Sequence, residues 1–524
     1  MIHQKCKLVL GALAVLGQLS PALIAEAETP KDTLVIGFES KPKSSDPRIL
    51  GTDANSQYVE ELRFLPLIGF DENGGMRMVV AQSLSADGSG GWKVKIRKGI
   101  KCKNGHEIDA EDVVATYNAI MSSPKDFPPS PRKGAFEKVT SVKKTAADEV
   151  QFSLSGADAA FITNLVIGIL PKEALVEAPE QLLGKGYESG PFVLEKSADD
   201  EWILAKNDSY AADLVKTSKP KLNKVVFKII TDNSTRYAAL VKGDLDMVQN
   251  SLDPDKVVEI QKNRADKFNV ITRTAMSTTF LAFNLKNATF QNAKVRQAVA
   301  KAINRDEILQ YTLQGLGEKA ESMFPAAFPF HEKDIAAVKY DPEGAKKLLD
   351  EAGLKDPDGN GPLPRTRVTL KVPTNKERIA VAKAIASQLK LVGIDMQIES
   401  LEFSLFSKQL AEGQIQAWIA PWTGYKDPDH LNFVFNSKQI PPIGGNRSFY
   451  ANAKVDELLE KGKTEYNSEK RHGIYSQAQK ILADDAPYVY LWYKLGNAVI
   501  SKNVKGYKLY SDFRYLSLTE VSKN

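Results

Sequence analysis

The sequence predicts an α/β protein of more than one lobe, and three observations carry that reading. A strand–helix–strand pattern occurs at residues 225–248, a second occurs at residues 368–398, and the chain runs to 524 residues, a length that suits three or four domains. Two parallel-sheet units so far apart imply a binding site between lobes. Ligands of open α/β sheets settle beyond the carboxyl ends of the strands and at domain interfaces.

Lys5 and Lys7 precede an apolar run at residues 8–16, and Ala25, Glu26 and Ala27 put small residues where a signal peptidase cuts, so residues 1–27 read as a secretory signal. The run is too short to span a bilayer, and no later segment approaches the roughly 18 apolar residues of a membrane helix. Cys6 stands ahead of the run instead of behind it, unlike the lipid-modified cysteine of a lipoprotein signal. The expected product is a free periplasmic protein. Cys102 is then its one cysteine, so no intramolecular disulfide is expected and the thiol reads as structural.

Residues 32–38 read as a first strand. Trp92, Val94 and Ile96 alternate with Lys93, Lys95 and Arg97, the period of a half-buried strand. Asn104-Gly105 turns the chain, and Asp109 caps a helix with Val113, Val114, Tyr117, Ile120 and Met121 on one face. Residues 225–230, 233–242 and 245–248 then form strand, helix and strand. The same order recurs at 368–372, 376–391 and 394–398, with Gly393 as the helix stop.

Hydrophobic residues make up 43% and charged residues 26%, a globular balance that excludes disordered and fibrous classes. The net charge of +5 comes from 70 basic and 65 acidic residues, too small and too mixed to point to nucleic acid or a membrane surface. The five histidines lack zinc spacing. Gly315, Gly317 and Ala320 match a dinucleotide fingerprint but follow a predicted helix at 305–314, where a strand is required. Residues 356–361 resemble half a calcium loop, yet Arg367 stands where a bidentate Glu is needed, so a turn is the expected role. No catalytic motif, metal or cofactor site is expected, although a catalytic site assembled by the fold stays open. Trp418 and Trp422 lead into a polar loop that runs to His430. Trp418 reads as core and Trp422 as a cleft residue, since flat side chains beside carboxylates suit a sandwiched, partly cationic ligand.

The stretch from Leu84 to Met121, with Trp92, Asn104-Gly105-His106 and Asp109 to Val114, resembles the signature region of the peptide/nickel-type extracellular solute-binding proteins of ABC importers (family 5). Ser45-Asp46-Pro47, Ser189-Gly190-Pro191-Phe192, Asn207 to Tyr210, Gly243 to Asp246, Val295 to Ala298 with Ile303 to Arg305, and Asp484 to Pro487 follow in that family's order. The resemblance implies a periplasmic-binding-protein-like, two-lobed hinged α/β fold with an additional inserted domain. The division it implies is lobe I at 28–65, 190–275 and 495–524, inserted domain II at 66–189, and lobe III at 276–494. It also implies a non-enzymatic, monomeric protein that captures a short peptide between the lobes and delivers it to a membrane permease, with no nucleic-acid partner. Alternatives are a sugar, opine or metal-chelate binder, or a secreted peptide or cell-wall hydrolase. The positions that match the family's ligand contacts are Thr52 and Asp53 with Gly51, then Phe403, Trp422, Gly424, Tyr425, Asp427, Asn446 and Arg447. Gly424 departs from the pattern, because peptide binders of the family carry an Asp there for the ligand's α-amine. Either Asp427, the first candidate, or Asp429 replaces that carboxylate, or the ligand is not a free-amine peptide.

Overall fold

The computed structural model describes residues 29–44, 46–50, 53–88, 90–122, 129–359 and 361–524. The expected signal, Gly51 and Thr52 lie outside the described residues. Strand β1 (Thr33–Phe38) leads to helix α1 (Ala54–Arg63). The chain then builds a separate antiparallel sheet from β2 (Ala81–Ala86), β3 (Trp92–Ile96), β4 (Val139–Ala146) and β5 (Glu149–Leu154), in the order β2-β3-β5-β4, with helix α2 (Ala110–Ser122) on it. In β3 the alternation holds: Trp92, Val94 and Ile96 are buried and both lysines exposed. In α2 the side chains of Val113, Tyr117 and Ile120 face the core, and the Asp109 side chain accepts the backbone N–H of Asp112 at 3.1 Å.

The chain returns to a larger sheet as β6 (Phe192–Ser197), β7 (Glu201–Lys206) and β8 (Lys224–Ile229), crosses through α3 (Asn233–Lys242) and enters β9 (Met247–Gln249). β8 and β9 flank β1 and both run parallel to it. Where the chain leaves and re-enters this half, Arg63 pairs with Glu188 at 2.7 Å, each about 2% exposed. The Gly190 N–H donates to the Arg63 carbonyl there, at 2.6 Å.

Two long strands carry the sheet into its other half. β10 (Phe268–Phe283) comes first; β11 (Thr366–Pro373), helix α4 (Lys376–Lys390), β12 (Ile394–Leu401) and β13 (Ala417–Thr423) follow, then helices α5 (His430–Phe435) and α6 (Ser468–Asp485) and the return strand β14 (Tyr488–Ser501). The path reads β12-β11-β13-β10-β14-β9-β1-β8-β7-β6, with a short strand, Gly317–Lys319, added beside β14. β10 and β14 pair antiparallel along most of their length. Between Thr274 and Thr278 the register slips, so three residues of β10 oppose Lys494 alone. A bulge of this kind bends a ladder, and it falls where the two halves of the sheet meet. Met276, in the bulge, donates its N–H to the Ser511 carbonyl and accepts from the Gly424 N–H.

One expected helix is different. Residues 305–314 form a single α-turn, Arg305–Glu307, followed by a π-turn, Ile308–Thr312. The chain then leaves with positive φ at Gln314 and Gly315 into Gly317–Lys319. A turn running into a strand is the reverse of a dinucleotide cradle, which needs a helix N-terminus at the phosphates. In the calcium-like segment Asp356 accepts the backbone N–H groups of Asp358 and Gly359, and Asp358 accepts that of Leu363. Those carboxylates hold the turn itself.

Candidate functional site

β11, β12 and β13 run parallel, so their carboxyl ends lie on one edge. The segment after β13 leaves that edge with Gly424 in the left-handed region, φ +70°, and passes between the lobes. A cavity of about 600 Å³ opens beside it. One wall is Gln57 of α1 with Arg132, Phe136, Asp158 and Phe161 of the β2–β5 domain; the other is Gly424 to Asp427, Asp429, His430 and Phe433. The rim is bridged. Tyr466 donates to the Gly90 carbonyl at 3.0 Å and accepts the Asp158 N–H at 3.2 Å, while the Ala159 N–H donates to the Lys463 carbonyl.

A second cavity, about 340 Å³, lies where Asn250 and Leu252 beyond β9 face Glu377 and Arg378 of α4 and Ile419, Pro421 and Thr423 of β13. Along its edge toward β11, β13 is paired only at Ala417 and Trp418. Residues 419–423 have no ladder partner on that side among the described residues, which is an open template for an added strand.

The charges divide unequally. Asp427 is held by Arg471 through two bonds of 2.6 and 2.7 Å, with both side chains largely buried. Among the described residues, the Asp429 side chain accepts only from the Tyr475 hydroxyl, at 3.1 Å. Burial first, then the charge of Asp427, pushes the Asp429 carboxyl up to about 7. Burial lowers His430 to about 4, and its Nε2 has no hydrogen-bond partner among the described residues. The Lys426 ammonium stands 5.3 Å from the Phe70 ring centre. Burial, then repulsion from Arg514, lowers it to about 7.

The expected contact residues separate into groups. Gly424, Tyr425 and Asp427 line the first cavity, although the Tyr425 hydroxyl is spent on Thr278 at 2.8 Å. Trp422 lies one layer behind, edge-on to His430 and Phe433 and under the Arg447 guanidinium at 5.1 Å. Asp53 caps α1 through the Ser56 N–H. Phe403 is 63% exposed at the start of its helix and lines neither cavity. Asn446 is fully buried and closes the 436–450 loop through Asn436 and Tyr450. The wall contributed by Arg132, Phe136, Asp158 and Phe161 carried no motif. Trp418 is core, as expected, and Cys102 is buried with its thiol pushed up by burial.

Among the described residues, one cluster has the composition of a metal site: His106, Asp112 and Glu173. Its geometry is that of a clamped imidazole. Nε2 meets Asp112 at 2.8 Å and Nδ1 meets Glu173 at 3.1 Å, and two nitrogens on opposite sides of one ring cannot reach a single ion. Asp112 also accepts the N–H groups of Asp109 and Lys172, so the cluster ties together the turn, α2 and the segment after it.

The described residues include no helix long and apolar enough to cross a membrane. The chain is 31% identical over 499 residues to the oligopeptide-binding protein AppA of Bacillus subtilis, covering 91% of this chain and 88% of that one. It is 28% identical to a dipeptide-binding protein of Pseudomonas aeruginosa, covering 91% and 92%. The solved structure of AppA from B. subtilis in complex with a nonapeptide superposes with a TM-score of 0.67 at 29% identity, covering 94% of this chain and 99% of that one. The model of the bacterial extracellular solute-binding proteins, family 5 (middle), matches residues 76–440; with the large α/β sheet and the cleft at its strand ends, these likenesses mean that the chain belongs to that family.

Proposed function

We propose that this protein is a periplasmic, exported solute-binding protein that takes a short peptide into the interlobe cleft and hands it to an ABC permease. The hinge lies at the β10 bulge and Lys494, which separates lobe I with its inserted domain from lobe III, close to the boundaries at 275/276 and 494/495. The observation that carries the peptide reading is the Asp429 carboxyl in the first cavity, with the open edge of β13 at residues 419–423 along the second. An extended backbone can pair with that edge whatever its side chains. An ammonium brought into the cleft needs a negative partner in place of its water, and among the described residues Asp429 is the cavity carboxylate without a cation bonded to it. The likeness to proteins that bind oligopeptides and dipeptides supports this reading. Ligand contacts made by both lobes exist only when they are closed, so binding shifts the population toward closure.

Calorimetry with pools of short peptides, free and N-acetylated, tests the reading together with X-ray scattering. Free peptides should bind, with acetylated ones weaker by about tenfold or more, and the radius of gyration should fall on binding. Equal affinity for both forms argues that no amine is recognised and favours a non-peptide solute.

A further inference from the structure

Tyr466 stands between the helix Ala453–Thr464 and α6, yet its ring packs against the hydrophobic core of the inserted domain. There it meets Trp92 edge-on, with ring centres 5.1 Å apart. Its hydroxyl donates to the Gly90 carbonyl at 3.0 Å and accepts the Asp158 N–H at 3.2 Å. Beside it the Ala159 N–H donates to the Lys463 carbonyl at 2.9 Å. The socket is built by the inserted domain alone. The Asp87 carboxylate accepts from the Gly91 N–H and the Gln151 side-chain amide, each at 2.8 Å, which fixes the turn that presents Gly90. The Trp92 indole N–H donates to the Asp158 carbonyl at 3.1 Å, which fixes the other half. Gly90 itself has φ +100°, and a Cβ there would stand 3.1 Å from the Ala157 backbone nitrogen. A preformed socket costs little ordering when the other lobe's side chain enters it.

Resting on the two-lobed closure proposed above and on nothing about the ligand, we propose that Tyr466 is a latch that holds the inserted domain to lobe III before any ligand arrives. Asp158 and Lys463 line the first cavity, so a motion that widens it there draws Tyr466 out of its socket and parts Ala159 from Lys463. Seated, Tyr466 raises the share of closed molecules, and the ligand completes a closure that is already partly populated. One neutral hydrogen bond is worth roughly two- to tenfold in such an equilibrium, and an edge-on aromatic pair adds a comparable factor. The latch bears part of the cost of closing on behalf of every ligand, so it raises affinity without choosing among ligands.

Hydrogen exchange on the protein without ligand tests this, resolved to single amides by mass spectrometry. The informative amide is that of Ala159, whose partner is Lys463; the Asp158 amide loses its own acceptor when Tyr466 is changed and is no guide. Wild type, Tyr466→Phe and Tyr466→Ala are freed of small molecules by dialysis in mild denaturant and returned to buffer. In wild type the Ala159 amide should exchange slowly. It should exchange at least about threefold faster in Tyr466→Phe and about tenfold faster in Tyr466→Ala, and the radius of gyration from X-ray scattering should rise in step. Val94 and Val150, paired in the β3–β5 ladder, should exchange alike in all three proteins. Fast exchange at Ala159 in wild type means that the lobes part freely without ligand and overturns the proposal, as does unchanged exchange there in both variants. Faster exchange at Ala159 with no rise in radius confines the loss to residues 158–159 and overturns it too. Equal acceleration at Val94 and Val150 makes Tyr466 a support of the inserted domain's own core, which also overturns it. No ligand enters these measurements, so each of those results leaves the peptide reading standing, and closure itself is tested separately by the fall in radius on peptide binding.

Discussion

At the scale of single residues, Asp427 and Asp429 show what the local sequence conveys and what it leaves out. Both stand in the loop after Trp422, and proximity to Gly424 favours Asp427 as the amine partner. The structure gives Asp427 to Arg471, 44 residues away on α6, a pairing no local pattern announces. Asp427→Asn should therefore act on the fold. Removing one partner of a largely buried pair strands the other charge and costs about 3–5 kcal/mol, which denaturant unfolding would register without any ligand. Asp429→Asn should act on the ligand and on pH dependence. An Asp with an ordinary value of 3.8 raised to about 7 in the folded state keeps its proton when folded and loses it when unfolded between those values. Stability from this group is then greatest at low pH and falls as pH rises from about 4 to 7. Thermal unfolding of Asp429→Asn should match wild type near pH 4 and exceed it above pH 7, while amine-bearing peptides bind it about tenfold or more weakly. Asp429→Asn showing the same stability gain at both pH values would mean that the group titrates normally.

Among the elements, strands and helices with a clean period were legible. β3 reads off alternate lysines, α2 off its capping Asp109, and the parallel unit of β11, α4 and β12 off Gly393. The segment at 305–314 was not legible, because its apolar spacing suits a helix while Arg305 is drawn to carbonyls of Ala320, Val338 and Tyr490. Tertiary bonds won there. The wall of the cavity at residues 131–136 and 158–161 has no period to read, being loop and short 3₁₀ turns. The glycine in the Ser189 to Phe192 block acquires a reason from the structure. A Cβ on Gly190 would stand 2.6 Å from the Leu62 carbonyl oxygen and 2.7 Å from the Arg63 carbonyl group, where the links between the two domains cross. Backbone cannot step aside cheaply, so Gly190→Ala should lower stability by about 1–3 kcal/mol and loosen the Arg63–Glu188 pair beside it. A substitution with unchanged unfolding would show that the crossing has slack.

For the whole molecule, the sheet that runs through both halves bears on the closure proposed above. Only β10 and β14 carry the sheet from one half to the other, and the bulge at residues 275–277 is the flaw in their ladder. A cavity with one wall on each side of that flaw changes shape when the strands bend, whereas the packed cores on either side keep theirs. On the function proposed above, this cleft is filled by short peptides. Recovering the protein from a bacterial periplasm, denaturing it and identifying the released small molecules by mass spectrometry checks this occupancy. A mixture of short peptides of varied sequence with free amino termini is the expected result; one recurring non-peptide solute, such as a sugar, an opine or a metal chelate, would overturn the peptide reading.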